Sequence, residues 1–385
     1  MTYEIQRKPV IVSFEETASF TETYGFTGSQ GRVFLEGQQI VPVGRDSTTV
    51  LLFMHPASTL NLMPLPVALA QAGHHVLSCD PRDAKNDTAL IMEKVAADMA
   101  AYVRHAREVL GYKNVVLAGW SGGGSLATFY QSQAETPTIT HTPAGDPYDL
   151  SRIDMQPADA LLYVAAHTGR ARILSEWIDP SVLDEHDPER RDPTLDLYSG
   201  DIRPPYDAAF LARFRAAQMA RIRRITDTAI DILETLKSRG GAESERPFLV
   251  HRTMADPRFL DSTLEPNDRA PDWCYLGVPE TVNAGPVGLA RFTTLRAWLS
   301  QWSPDHSRAD AEACVQAVTA PLLVIENTAD DAVPTSHPTC VFEAATMADK
   351  TFLRIESATH YYREQPEHQK RVVSEIATWL AERNM

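Results

Sequence analysis

The chain has 385 residues and a formal net charge of −15, with 43% apolar and 23% charged residues. That length buries a substantial core, either as one large domain with an insertion or as two domains, and the composition is ordinary for a globular protein. The acidic balance argues against general binding to nucleic acid or an anionic membrane, because phosphates are repelled over most of the surface.

The first 48 residues offer two short strand-like segments, Pro9–Phe14 and Arg32–Gly37, separated by polar turns and expected to pair as an antiparallel edge. Thr48–Met54 is the first fully apolar strand and ends at His55-Pro56-Ala57-Ser58-Thr59. His75–Cys79 is the next. Ala89 to Leu110 reads as a helix, with Ile91, Val95, Met99 and Val103 four apart. A short Gly111–Asn114 turn leads into Val115-Val116-Leu117-Ala118-Gly119-Trp120-Ser121-Gly122-Gly123-Gly124, an apolar run that stops on Gly-x-Ser-x-Gly and turns into a helix through Ser125–Tyr130. Strand, helix, strand in this rhythm predicts a parallel sheet with right-handed crossovers. The sharp turn at Ser121 is a nucleophile elbow, with flanking glycines removing side chains that would clash.

Glu135 to Asp154, rich in Thr, Pro and Asp, is expected to be an exposed excursion. Ala158–Ala166 supplies a sixth core strand and ends at His167-Thr168-Gly169-Arg170, at the mouth of any site on that sheet edge. From about Asp179 to Ser307 the alternation of strand and helix stops, and a segment this long needs structure of its own. Its main helix is predicted from Asp207 to Lys237, ended by Gly240-Gly241. That helix carries Arg213, Arg215, Arg221, Arg223 and Arg224, which could clamp an anionic substrate or form an ion-paired face. Trp273, Tyr275, Trp298 and Trp302 follow, as pocket lining or as the segment's own core.

Pro321–Ile325 is a further apolar strand, followed by Glu326-Asn327-Thr328-Ala329-Asp330-Asp331-Ala332-Val333-Pro334. Thr351–Ile355 is another, followed by a loop with His360, Tyr361 and Tyr362, and Gln365–Arg383 is the closing helix. Serine, acid and histidine, each after its own strand, stand in the chain order of an α/β-hydrolase triad.

On these motifs the chain resembles the α/β-hydrolase superfamily of serine hydrolases, more at its ends than in its middle. The resemblance implies a mostly parallel eight-stranded sheet flanked by helices, with a mainly helical cap inserted after strand 6. The expected organisation is a core of residues 1–178 and 308–385 interrupted by a cap of residues 179–307. The catalytic residues implied are Ser121 as nucleophile, His360 as base and Asp330 as the acid that orients it, with Asp331 as the rival acid. Asn327 stands where the family commonly has glycine. The family's His-Gly is here His55-Pro56, so the backbone N–H groups of Ala57 and Gly122 are expected to form the oxyanion hole, with His55 structural. Trp120, His167 and Tyr361 are the expected substrate contacts.

The implied reaction is hydrolysis of a carboxylic ester or lactone of a small apolar molecule. The rivals are carbon–carbon hydrolysis of activated diketones, thioester hydrolysis, and ligand reception without turnover. Dehalogenase and epoxide-hydrolase chemistry is disfavoured, because those relatives need a carboxylate where Ser121 stands.

No cofactor or metal is needed for this chemistry. Cys79, Cys274, Cys314 and Cys340 are scattered, which argues against a disulfide framework or a zinc site. No apolar stretch of signal-peptide length follows Met1–Lys8, and no run is long enough to span a bilayer, so a cytoplasmic protein is expected. The expected partner is a small-molecule substrate, with neither nucleic acid nor membrane, and a homodimer is left open.

Overall fold

The computed structural model describes residues 2–16 and 31–385. The polar connection expected between the first two strands falls on residues 17–30, outside the described residues.

Among the described residues ten strands are arranged in two sheets. They are β1 (Ile5–Glu15), β2 (Arg32–Pro42), β3 (Thr49–Met54), β4 (His75–Cys79), β5 (Asn114–Ser121), β6 (Ala160–Ala166), β7 (Pro247–Leu249), β8 (Phe292–Thr294), β9 (Leu322–Asn327) and β10 (Lys350–Ile355). The large sheet has the order β1-β2-β4-β3-β5-β6-β9-β10, and β7 pairs only with β8. From β4 to β10 all neighbours are parallel, whereas β1–β2 and β2–β4 are antiparallel.

The burial patterns follow from this order. Every residue of β3, β6 and β9 is buried, as expected for parallel strands covered on both faces. β1 turns Val10 and Val12 inward and leaves Ile11 61% exposed, the alternation of a strand with one open face. Five of the helices are α1 (Pro64–Gln71), α2 (Met92–Arg104), α3 (Gly122–Glu135), α4 (Arg170–Trp177) and α5 (Ala208–Arg239). Val50, Leu52 and Met54 of β3 pack toward α2 and α3, while Leu51 and Phe53 pack toward α1 and the C-terminal helix Pro366–Ala381.

Two local expectations are corrected. The helix predicted over 89–110 is α-helical only from Met92 to Arg104 and continues as a π-helical turn, His105–Val109. The stretch 135–154 is an exposed excursion only in part. Ile139 and Leu150 join the core cluster, and buried Asp146 accepts a 2.7 Å hydrogen bond from Arg296 Nε. Long-range ion pairing and apolar contact outweigh its polar composition.

Between β6 and β9 the chain leaves the large sheet. Residues 179–307 carry α5 and the β7–β8 pair, and they contribute most of an apolar cluster of their own that includes Ile222, Ile225, Leu233, Val250, Trp298 and Trp302. The Asp207 carboxylate caps α5 by accepting from the Phe210 N–H, and Gly240, at φ +65°, ends it in a backbone region that favours glycine.

The arginines of α5 do not form a substrate clamp. Arg221 is fully buried and binds Glu185 and the carbonyls of Asp179 and His251, Arg215 binds Asp256, and Arg223 binds Asp305. Arg213 and Arg224 donate to the carbonyls of Thr194 and Val182. They hold the insertion together. Among the described residues no helix is long and apolar enough to cross a membrane, and all four cysteines are free thiols.

Trp298 and Trp302 are the largest fully buried side chains of the insertion, and the Trp298 indole N–H donates to Thr226 Oγ1 at 2.9 Å. Trp298→Ala is expected to cost about 3–5 kcal/mol through the cavity and the lost partner. A lowered thermal unfolding midpoint by circular dichroism checks it.

Candidate active site

β5 passes into α3 with no loop between them, and the turn is made by Ser121 at φ 54°, ψ −124°. Such a backbone costs a non-glycine residue about 1–3 kcal/mol and persists only where the surroundings hold it. Close packing supplies that hold. A Cβ on Gly119 would lie 2.5 Å from Gly124 Cα, and one on Gly123 would lie 2.4 Å from the Met54 carbonyl oxygen. Without side chains at these positions, the first turn of α3 sits directly against β5 and the end of β3. Ser121 is thereby presented at the carboxyl edge of the sheet, in the wall of a cavity of about 520 Å³.

His360, in the loop after β10, lines the same cavity. Its Nδ1 lies 2.8 Å from Asp330 Oδ2, and both residues are buried. Asp330 comes from the loop after β9, and its other oxygen accepts the backbone N–H groups of Ala332 and Val333, each at 2.8 Å. These two bonds fix the carboxylate, so that Oδ2 faces the imidazole. A carboxylate can only accept there, so Nδ1 carries the proton and Nε2 keeps its lone pair.

The neighbouring Asp331 makes no such bond. Its carbonyl accepts from the Tyr275 N–H at 3.2 Å, and burial, then the Asp330 charge, raises the pKa of its carboxyl group. Asn327 has a use that glycine could not supply. Its Nδ2 donates to the Thr359 carbonyl at 3.0 Å and its Oδ1 accepts from the Tyr362 hydroxyl at 3.2 Å, tying the loop of the acid to that of the histidine.

Trp120, His167 and Tyr361 all line the cavity. The Trp120 indole lies 4.4 Å from the His360 ring and 5.2 Å from Tyr361, and its N–H donates to the His360 carbonyl at 3.3 Å. His167 follows β6, and burial holds its pKa well below the ordinary histidine value, aided by His337 and His55. The next residue, Thr168, donates its N–H to His337 Nδ1 at 3.2 Å, and His337 in turn meets Glu176 Oε2 at 3.0 Å. That chain of bonds pins the strand end which carries His167.

The expectation for Ala57 is corrected. It lines the cavity, but its N–H donates to His55 Nδ1 at 3.1 Å, as does the Ser58 N–H at 3.0 Å. Pro56, which has no N–H, turns the chain so that the next two amides point back at the ring. Gly122, the first residue of α3, keeps an N–H with no intrahelical acceptor.

Sequence reasoning missed part of the wall. Lys85 and Asp87 reach the cavity from the loop after β4, which Arg82 anchors through Asp98 and Glu16 at 2.7 and 2.6 Å. Asp87 pairs with Arg170, whose guanidinium lies 4.3 Å from the Trp302 ring centre. The insertion contributes Tyr275, Leu276, Val287, Gly288, Leu289 and Trp302.

No protein-family model matches the sequence, and no curated protein matches it significantly. Solved structures do resemble it. DcsB in complex with its substrate analogue is 15% identical, aligned over 98% of this chain and 99% of that one, with a TM-score of 0.50. The esterase domain of a Rhodothermus marinus protein is 14% identical over 97% and 98%, with a TM-score of 0.46. An alpha/beta hydrolase superfamily protein from Enterococcus faecalis is 12% identical over 95% and 100%, with a TM-score of 0.43. The likeness to DcsB runs along nearly the whole of both chains and is one of fold. With an eight-stranded sheet of this order and a serine turn directly after its fifth strand, the chain has the α/β-hydrolase fold.

Proposed function

We propose that this protein is a serine hydrolase that cleaves a carboxylic ester or lactone of a small apolar molecule through an acyl-enzyme on Ser121. The observation that carries the proposal is the 2.8 Å bond between buried Asp330 and His360, with the histidine and a strained Ser121 in one cavity wall. A serine hydroxyl needs a base at hydrogen-bond distance to attack a carbonyl at neutral pH. In this reading His360 takes the Ser121 proton as Oγ adds to the carbonyl carbon, and passes it to the departing alcohol. Asp330 holds the required tautomer and stabilises the imidazolium. Water activated by the same histidine then opens the acyl-enzyme.

The size and lining of the cavity support the substrate class. Ile173, Trp177, Leu276, Val287, Leu289 and Trp302 give it apolar walls. The residues from 179–307 among them act, in this proposal, as a cap over the carboxyl edge of the sheet, with Trp120, His167 and Tyr361 touching the bound molecule. Substrate enclosure of this kind excludes water and strengthens every polar interaction within.

Two experiments test the reading. A fluorophosphonate probe is expected to label the purified protein on Ser121, as mapped by peptide mass spectrometry, and Ser121→Ala is expected to abolish both labelling and ester hydrolysis. Absence of labelling in the folded wild type contradicts the proposal. Asp330→Asn should lower kcat by about 10⁴-fold through the wrong tautomer, whereas Asp331→Asn should stay within about threefold of wild type. Steady-state kinetics on p-nitrophenyl butyrate distinguish the two, and equal losses at both positions would remove the assigned acid.

A further inference from the structure

The oxyanion hole of the α/β-hydrolase pattern needs two donors, and here one of the expected pair is turned away. Ala57 N–H and Ser58 N–H both point at His55 Nδ1. A ring nitrogen that accepts two N–H groups carries no proton, so in the neutral ring Nε2 is the N–H. The ring is neutral in the folded protein, because burial first and then the nearby Arg170 and His360 charges lower its pKa to about 3. The tautomer is therefore set by the backbone that the sequence places directly after the histidine.

Nε2 has a defined place. It lies 2.8 Å from where a Cβ on Gly122 would be, so the imidazole edge occupies the space which that missing side chain leaves beside the residue after the nucleophile. His55, Ser121 and His360 all line the one cavity. His167 also approaches, with Nε2 at 3.4 Å from the same point, but its Nδ1 is buried without a partner among the described residues, so nothing fixes which of its nitrogens is protonated.

We propose that the oxyanion hole of this protein is formed by the Gly122 backbone N–H and the His55 side-chain Nε2–H, the imidazole standing in for the Ala57 amide. The proposal rests on Ser121 being the nucleophile. As Ser121 Oγ bonds to the carbonyl carbon, the carbonyl π pair moves to oxygen and the hydroxyl proton moves to His360. The resulting alkoxide accepts hydrogen bonds from Gly122 and His55. When it collapses, the carbon–oxygen bond to the leaving alkoxide breaks, and the alkoxide takes the proton from His360. His55 donates a hydrogen bond throughout and transfers no proton. Gly122 then has a second role, since any larger residue there would push the ring aside.

The test is steady-state hydrolysis of p-nitrophenyl butyrate by wild type, His55→Leu, His55→Gln and Gly122→Ala, with fluorophosphonate labelling of each and circular dichroism as the check on folding. His55→Leu should lower kcat by about 10²–10³-fold with KM within about threefold, because the lost bond belongs to the transition state. His55→Gln, which restores an N–H, should recover about tenfold of that loss. Gly122→Ala should lower kcat comparably while keeping the fold, and it carries the test if His55→Leu does not fold. A kcat within about threefold of wild type in His55→Gln and in either of the other two variants overturns the proposal, since one missing donor costs far more. Wild type that neither labels nor hydrolyses the ester overturns the serine-hydrolase reading, and this inference with it. Labelled, active wild type beside unimpaired variants overturns the oxyanion assignment alone.

Discussion

The backbone of Ser121, held at φ 54° and ψ −124°, is the constraint on which the rest of the site depends. The conformation is not intrinsic to serine and is sustained by contact on all sides. Gly119 lies against Gly124, Gly123 lies against the Met54 carbonyl, and β5 continues into α3 without an intervening residue. A strain of about 1–3 kcal/mol is small against the burial that surrounds it. The same contact between α3 and the end of β3 brings His55 alongside Gly122, so the turn that presents the hydroxyl also positions the ring beside it.

Three histidines share this cavity, and their surroundings set them apart. His360 has a carboxylate on Nδ1, which makes it the ring equipped to receive a proton and become a cation. Among the described residues His55 and His167 have no carboxylate partner, and both are enclosed by the protein and kept neutral by burial and neighbouring charge. One ring is thus available as a base, and another as a neutral hydrogen-bond donor. Separation of roles by environment is how a single residue type can serve two functions in one site.

Much of this arrangement could be read from the sequence because it is local. The apolar runs at β3, β5, β6, β9 and β10 and the loops that follow them are features of short windows, so Ser121, His360 and the pair Asp330 and Asp331 could be singled out as candidates once the resemblance supplied the order of serine, acid and histidine. What could not be read depends on contacts between distant segments. Ala57 was expected to offer its amide to the cavity, but the direction of that amide is decided by the His55 ring, which in turn is placed against Gly122, 67 positions on from that histidine. The arginines of α5 could be read as an anion clamp or as an ion-paired face, because a run of positive charge does not reveal that Glu185, Asp256 and Asp305 fold back against it. Lys85 and Asp87 lie in a polar loop with no motif, and contacts from distant segments hold it at the site: Arg82 pairs with Asp98 and Glu16, the Lys85 N–H donates to the Ala57 carbonyl, and Gln301 Nε2 donates to the Asp87 carbonyl.

The most direct test of the whole account is a crystal structure of the protein after reaction with a p-nitrophenyl phosphonate, a tetrahedral mimic of the acylation intermediate. The account predicts a covalent bond from Ser121 Oγ to phosphorus, with the phosphoryl oxygen about 2.7–3.1 Å from both Gly122 N and His55 Nε2. An adduct whose phosphoryl oxygen faces solvent or the Ala57 amide, or a phosphonate attached anywhere but Ser121, would contradict it.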